Sequence, residues 1–123
     1  MTRNLFVCMS HTLTPDQEAG WDKISVVSAD LKKLTSQISP EANLIDIKLL
    51  ANNIVGEALV AGATHILVAG EPTLVLHANL MANDYGLICV QSTTRRDTVE
   101  VVNPDGSATK TQIFRHVQWR EMF

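Results

Sequence analysis

Three short apolar runs, residues 4–9, 65–69 and 87–90, each break abruptly into a polar cluster. Runs this short and uniformly apolar have the composition of strands buried on both faces. Segments of helical spacing lie between them, so β and α alternate along the chain, the pattern of a mainly parallel sheet covered by helices. The third run sets the theme. Gly86, which can close a helix in the left-handed conformation, precedes Leu87, Ile88, Cys89 and Val90. The chain then turns polar at Gln91, Ser92, Thr93, Thr94, Arg95 and Arg96. The expected local structure is a buried strand followed by a polar loop.

In chain order, the first strand spans residues 4–9 and Ser10-His11-Thr12 ends it. Thr14 is the expected N-cap of a short helix, with Pro15 in its first turn and Gln17 completing a capping box. A second strand is expected over residues 24–27 and one or two helical turns over 30–37. Pro40 opens a longer helix reaching about residue 61, in which Leu44, Ile47, Ala51, Ile54, Val55 and Ala58 recur at helical spacing. Ile45, Leu49, Leu59 and Val60 widen that stripe, as for a helix packed on a sheet. Gly62 is its expected C-cap. Gly70-Glu71-Pro72-Thr73 joins the next strand to a helix over residues 73–85, with Leu74, His77, Ala78 and Met81 on one face. Residues 98–102 are β-rich, Asn103-Pro104-Asp105-Gly106 signals a turn, and residues 108–119 return as a strand with Ile113, Val117 and Trp119 on one face. The fold class is therefore α/β: a mainly parallel sheet with helices on both faces, closed by a C-terminal antiparallel β-hairpin. All 123 residues form one domain.

Hydrophobic content of 46% supports a core. A net charge of −3 carries no overall signature of binding long nucleic acid, although four of the five arginines (Arg95, Arg96, Arg115 and Arg120) fall in the last 29 residues. Cys8 and Cys89 lie inside apolar runs and read as buried thiols in a reducing compartment. Neither a signal peptide nor a membrane-length apolar run is expected, which makes the expected compartment the cytoplasm. No dinucleotide fingerprint, P-loop or nucleophile elbow follows any strand. The four histidines lack metal-ligand spacing, so neither metal nor cofactor is expected.

What remains is a coincidence. In an open α/β sheet, ligands bind outside the carboxyl ends of the strands. If the first, third and fourth predicted strands are parallel neighbours, three clusters share that edge: Ser10-His11-Thr12, Gly70-Glu71-Pro72-Thr73, and Thr93-Thr94-Arg95-Arg96. Hydroxyls and guanidinium groups suit phosphate oxygens, and helix starts near Pro15 and Pro72 would add backbone N–H donors. Each cluster also has a plainer alternative: a solvated loop, a surface histidine, a carboxylate set against a helix dipole.

A set of segments spanning nearly the whole chain resembles a known family. It comprises Ser10-His11-Thr12-Leu13-Thr14-Pro15-Asp16-Gln17, Ile66-Leu67-Val68-Ala69-Gly70-Glu71, Ser92-Thr93-Thr94-Arg95-Arg96, Asn103-Pro104-Asp105-Gly106-Ser107 and Phe114-Arg115-His116-Val117-Gln118-Trp119-Arg120. They look like the small single-domain proteins encoded with type III CRISPR systems and related to CRISPR-associated Rossmann-fold (CARF) domains. That resemblance implies a Rossmann-like fold and a homodimer binding a cyclic oligoadenylate messenger, with cyclic tetra-adenylate the expected ring. It further implies a ring nuclease, in which a ribose 2′-hydroxyl attacks the adjacent phosphate without a metal and antiviral signalling is switched off. The arginines would then stabilise charge and His11 or His116 would move protons. Ser10, Thr12, Gly70, Glu71, Thr73, Ser92, Thr93 and Thr94 would bind the ligand. Val117, Trp119 and Phe123 are available for a dimer contact.

Two other functions fit the same residues: a module that binds the messenger without cutting it, and a scaffold with no nucleotide ligand. Because neighbouring residues of an extended chain face opposite ways, one of Arg95 and Arg96 is expected to hold phosphate. The preference from sequence falls on Arg95, nearer the strand end.

Overall fold

A computed structural model of the chain describes residues 2–123. Its elements run β1 (Asn4–Cys8), α1 (Pro15–Glu18), β2 (Lys23–Val26), α2 (Ala29–Ser36), α3 (Leu44–Val60), β3 (His65–Val68), α4 (Pro72–Asp84), β4 (Ile88–Val102) and β5 (Ala108–Glu121). The strands form one curled sheet in the order β2-β1-β3-β4-β5. The first three pairings are parallel and β4 with β5 is antiparallel. No helix among the described residues is long and apolar enough to cross a membrane.

Handedness decides how the two sides of the sheet are covered. Crossovers between parallel strands are right-handed, so the leftward step β1-to-β2 puts α1 on one side and the rightward steps put α2, α3 and α4 on the other. Phe6, Cys8, Ile66, Val68 and Cys89 pack under those three helices with Ile47, Ile54 and Leu74. Leu5, Val7, Met9, Leu67 and Val90 form a smaller cluster on the opposite side, closed by Leu13, Trp21 and Trp119. Each fully buried Leu, Ile or Phe in these clusters contributes about 1.5–3 kcal/mol. Helices on both faces were expected; the α1 side holds a single four-residue helix.

Local signals explain most boundaries. Thr14 and Gln17 form the expected capping box of α1. Asn43 and Asp46 form a second box, which delays α3 to Leu44, past the start expected after Pro40. Gly62 and Gly86 follow α3 and α4 with φ of +72° and +82°, a conformation in which a Cβ is strained.

The structure departs from the sequence expectation in three places. First, the chain does not loop after Val90: β4 runs on for 15 residues, so residues 92–102 leave the sheet as half of a two-stranded arm about 35 Å long. Their β-branched threonines and valines suit an exposed ribbon. Second, Ile113, Val117 and Trp119 do not share one face. The register shifts between Thr93 and Thr94, leaving Val117 as the unpaired extra residue of a bulge, and Val117 is exposed. Thr93 Oγ1 secures the bulge, donating to Gln118 O and accepting from Gln118 N. Third, Ile45, Leu49, Leu59 and Val60 are exposed rather than packed on the sheet. Ile45, Leu49 and Val60 form a stripe on the side of α3 opposite Ile47, Ala51 and Ile54.

Candidate functional site

The carboxyl ends of β1, β3 and β4 lie along one edge of the sheet, as the strand order requires. Along that edge the candidate residues separate into three places. Ser10, Gly70 and Glu71 line a pocket of about 240 Å³ together with Thr35 and Gln37. His11 and Thr12 face a different pocket of about 350 Å³, toward β2, with Lys32 and Glu18. The third place surrounds Ser92 at the base of the arm.

Glu71 has a local task. Its carboxylate caps α4, accepting from Thr73 N at 3.0 Å and Leu74 N at 2.9 Å. Those bonds hold its carboxyl below the usual carboxylate range. The backbone donors expected to serve a phosphate at this helix start are thereby occupied, and at α1 Thr14 Oγ1 accepts from Gln17 N at 3.4 Å.

At the base of the arm, Gln17 Nε2 donates to Ser92 Oγ at 3.1 Å. Ser92 Oγ lies 2.5 Å from His116 Nδ1. The serine oxygen has two acceptor sites and one proton, so Ser92 can take the Gln17 amide hydrogen and still either donate to or accept from His116 Nδ1. The same Gln17 side chain accepts from Thr14 N at 2.8 Å, so the capping box fixes which end of the amide meets Ser92. The ring of His116 leans on Trp119 with centroids 5.1 Å apart. Trp119 meets Trp21 edge-on at 5.6 Å, and Trp21 meets the buried His65 edge-on at 4.9 Å. Arg3 lies over Trp21 at 4.3 Å. Burial, with the Arg3 charge adding to it, pushes the His65 imidazolium toward losing its proton.

Alternation places the arginines. Ser92, Thr94 and Arg96 face the α1 side with their cross-strand partners Trp119, His116 and Phe114. The Arg96 guanidinium lies 5.2 Å from the centre of the Phe114 ring. Arg95 faces the helix side, opposite Arg115. Arg115 is paired with Asp97 (Nε to Oδ2, 3.1 Å), and among the described residues no carboxylate reaches Arg95. The two arginines are therefore divided as alternation demands, and it is Arg96 that shares a side with His116. His11 lines the β2-side pocket and hydrogen-bonds Ser10 (Oγ to Nδ1, 3.4 Å), whereas His116 meets Ser92 at the base of the arm. Thr93 is occupied by the bulge, and Thr73 is exposed at the first turn of α4.

Gln17 is the residue sequence reasoning assigned only to a cap. It lies 75 positions from Ser92, and no local pattern announces that contact. The odd spacing of His116 and Trp119 likewise hid their shared face. Among the described residues no three His, Cys, Asp or Glu side chains gather as a metal site. What the cluster can do chemically is exchange a proton at a half-buried histidine whose orientation is fixed through Ser92 and Gln17, beside Arg96, which pairs with no carboxylate among the described residues.

No curated protein and no solved structure matches this chain. Residues 3–120 match the sequence profile described as the uncharacterized protein MJ1673 family, and the chain belongs to that family.

Proposed function

We propose that this protein is a CARF-like, Rossmann-type ring nuclease that binds and cleaves a cyclic oligoadenylate, cyclic tetra-adenylate above all, as a cytoplasmic homodimer in type III CRISPR signalling. One observation carries the reading: the hydrogen-bonded series Gln17–Ser92–His116 stands beside Arg96 at the carboxyl edge of a parallel sheet, where α/β folds take their ligands. The resemblance along the chain supplies the choice of substrate.

The ribose 2′-oxygen forms a bond to the adjacent phosphorus, and the bond from phosphorus to the 5′-oxygen breaks. The products are a 2′,3′-cyclic phosphate and a free 5′-hydroxyl. His116 receives the 2′-hydroxyl proton on Nε2 while its Nδ1–H donates to Ser92 Oγ, and the leaving 5′-oxygen takes a proton from solvent. Arg96 balances the charge that builds on the phosphorane oxygens, with Arg95 serving the neighbouring phosphate from the other side of the ribbon. A ring with rotational symmetry is matched most simply by a two-fold pair of identical sites.

The test is incubation with cyclic tri-, tetra- and hexa-adenylate in the presence of a chelator, followed by separation of the products. Linear fragments ending in 2′,3′-cyclic phosphate are expected from one ring size. A ring that binds but stays intact replaces the nuclease with a sequestering module. A ring that neither binds nor breaks refutes both.

A further inference from the structure

The side of the sheet under α1 is covered unevenly. Alternation puts Leu5, Val7 and Met9 of β1 and its end on that side. Ile24 and Val26 of β2, the register partners of Leu5 and Val7, stand beside them. Trp21 and Trp119 close much of this cluster. At the carboxyl ends of β1 and β2 the cover stops short, because α1 is four residues long and buries none of them. What is left is a pocket of about 350 Å³, floored by Val7, Met9, Ile24 and Val26 and overhung by Leu13. Val26 is 71% exposed as a result.

The rim of this pocket is polar and chemically unspent. It carries His11, Thr12, Glu18 and Lys32. Among the described residues neither Glu18 nor Lys32 has a salt-bridge partner. His11 engages Ser10 through Nδ1, which leaves Nε2 open. The volume lies at the small end of the ~300–1,000 Å³ typical of small-ligand sites, which are apolar clefts with a few convergent polar groups. A pleated floor of aliphatic side chains suits a flat ring. A carboxylate and an ammonium at its rim suit a ring with both a donor and acceptors on its edge. Adenine has that edge, with an exocyclic amino donor beside ring-nitrogen acceptors.

We infer that this pocket holds one adenine base of the ring, with Glu18 accepting from the 6-amino group and Lys32 donating to a ring nitrogen. Its position suits the chemistry at the arm. Glu18 directly follows Gln17, so their Cα atoms are about 3.8 Å apart, and Gln17 Nε2 reaches Ser92 at the arm's base. α1 therefore borders both places, with the base pocket on one flank and the Ser92–His116 pair on the other. A nucleotide whose base enters the pocket keeps its sugar and phosphate at the open carboxyl edge. The assignment rests on the proposed nuclease reading and adds to it the groups that select adenine.

Two measurements on the full chain test it. Cyclic tetra-adenylate bearing 8-azidoadenine should, on irradiation, label residues 7–13 or 24–27, as located by mass spectrometry of the digest. Labelling confined to the arm or to other residues overturns the pocket. In equilibrium binding, the wild type should prefer cyclic tetra-adenylate about tenfold or more over the same ring with the 6-amino groups replaced by hydrogen, because a charged hydrogen bond is lost. Glu18→Ala should bring the two rings close to parity. Asp16→Ala, on the same helix but outside the pocket, should keep the wild-type preference. Equal binding of both rings by the wild type, or an undiminished preference in Glu18→Ala, overturns the assignment and leaves the nuclease standing if the rings are still cut. A protein that binds neither ring removes both.

Discussion

Replacing Ser92 with alanine interrogates the Gln17–Ser92–His116 series at its centre. The hydroxyl takes part in two hydrogen bonds, one from Gln17 Nε2 and one with His116 Nδ1. Each neutral bond contributes about 1 kcal/mol net, so Ser92→Ala should destabilise the fold by about 2 kcal/mol. At ~4 °C per kcal/mol for a chain of this size, the melting midpoint should fall by about 8 °C, or less where water reaches the half-buried partners. Circular dichroism at neutral pH reads the shift. A double-mutant cycle with His116→Ala should return a coupling of about 1 kcal/mol, because each single variant removes the same bond. Single-turnover cleavage adds a second readout. His116→Ala should slow it by about 10²–10⁴-fold, and Ser92→Ala by about tenfold, since the imidazole keeps its Trp119 support but loses its hydrogen-bonded orientation. If Ser92→Ala melts within about 2 °C of wild type and the cycle shows no coupling, the series does not hold His116, and the mechanism built on it fails.

Arg96→Ala should cost about 2–4 kcal/mol of transition-state stabilisation, roughly 30- to 1,000-fold in single-turnover rate; a rate equal to wild type would remove the arm base from the active site. His65 is buried with its pKa depressed, so the unfolded chain binds its proton more readily than the folded one. Stability should therefore be lost as pH falls below about 6.5, and a His65→Gln variant should show a flatter denaturation midpoint between pH 7 and 5. The Cys89 thiol is pushed up to about 11 by burial and Cys8 is raised by the same cause. Iodoacetamide should thus label neither in the native protein at neutral pH and both after denaturation, as counted by mass spectrometry.

The parallel core was legible because its strands are uniformly apolar and because Thr14, Gly62 and Gly86 announce their turns by local chemistry. The arm's continuity was not. Ser92 to Asp97 are polar whether they loop or pair, and only the partner strand decides between the two. Helical periodicity found both stripes of α3 but could not say which is covered, since Ile45 and Leu49 repeat as regularly as Ile47 and Ala51. The edge location of Ser10, Gly70 and Ser92 followed from strand order, whereas the division of Arg95 from Arg96 followed from alternation once β4 is extended. The contact from Gln17 to Ser92 joins opposite ends of the chain, and its sequence signal was already explained by the cap.

Val117, the unpaired residue of the β5 bulge, separates two properties of the arm that ordinary strands keep together. Because Gln118 lies opposite Thr93 and His116 opposite Thr94, a chain lacking Val117 would keep both pairings, and His116 and Trp119 would share a side by plain alternation. The residue is therefore dispensable for facing. What it supplies is aim, since a bulge bends its strand and tightens the local twist. Deleting it should leave the Ser92–His116 contact formed while swinging the outer arm to a new bearing, so that the chemistry at the arm's root and the reach of its tip become independently adjustable by a single codon.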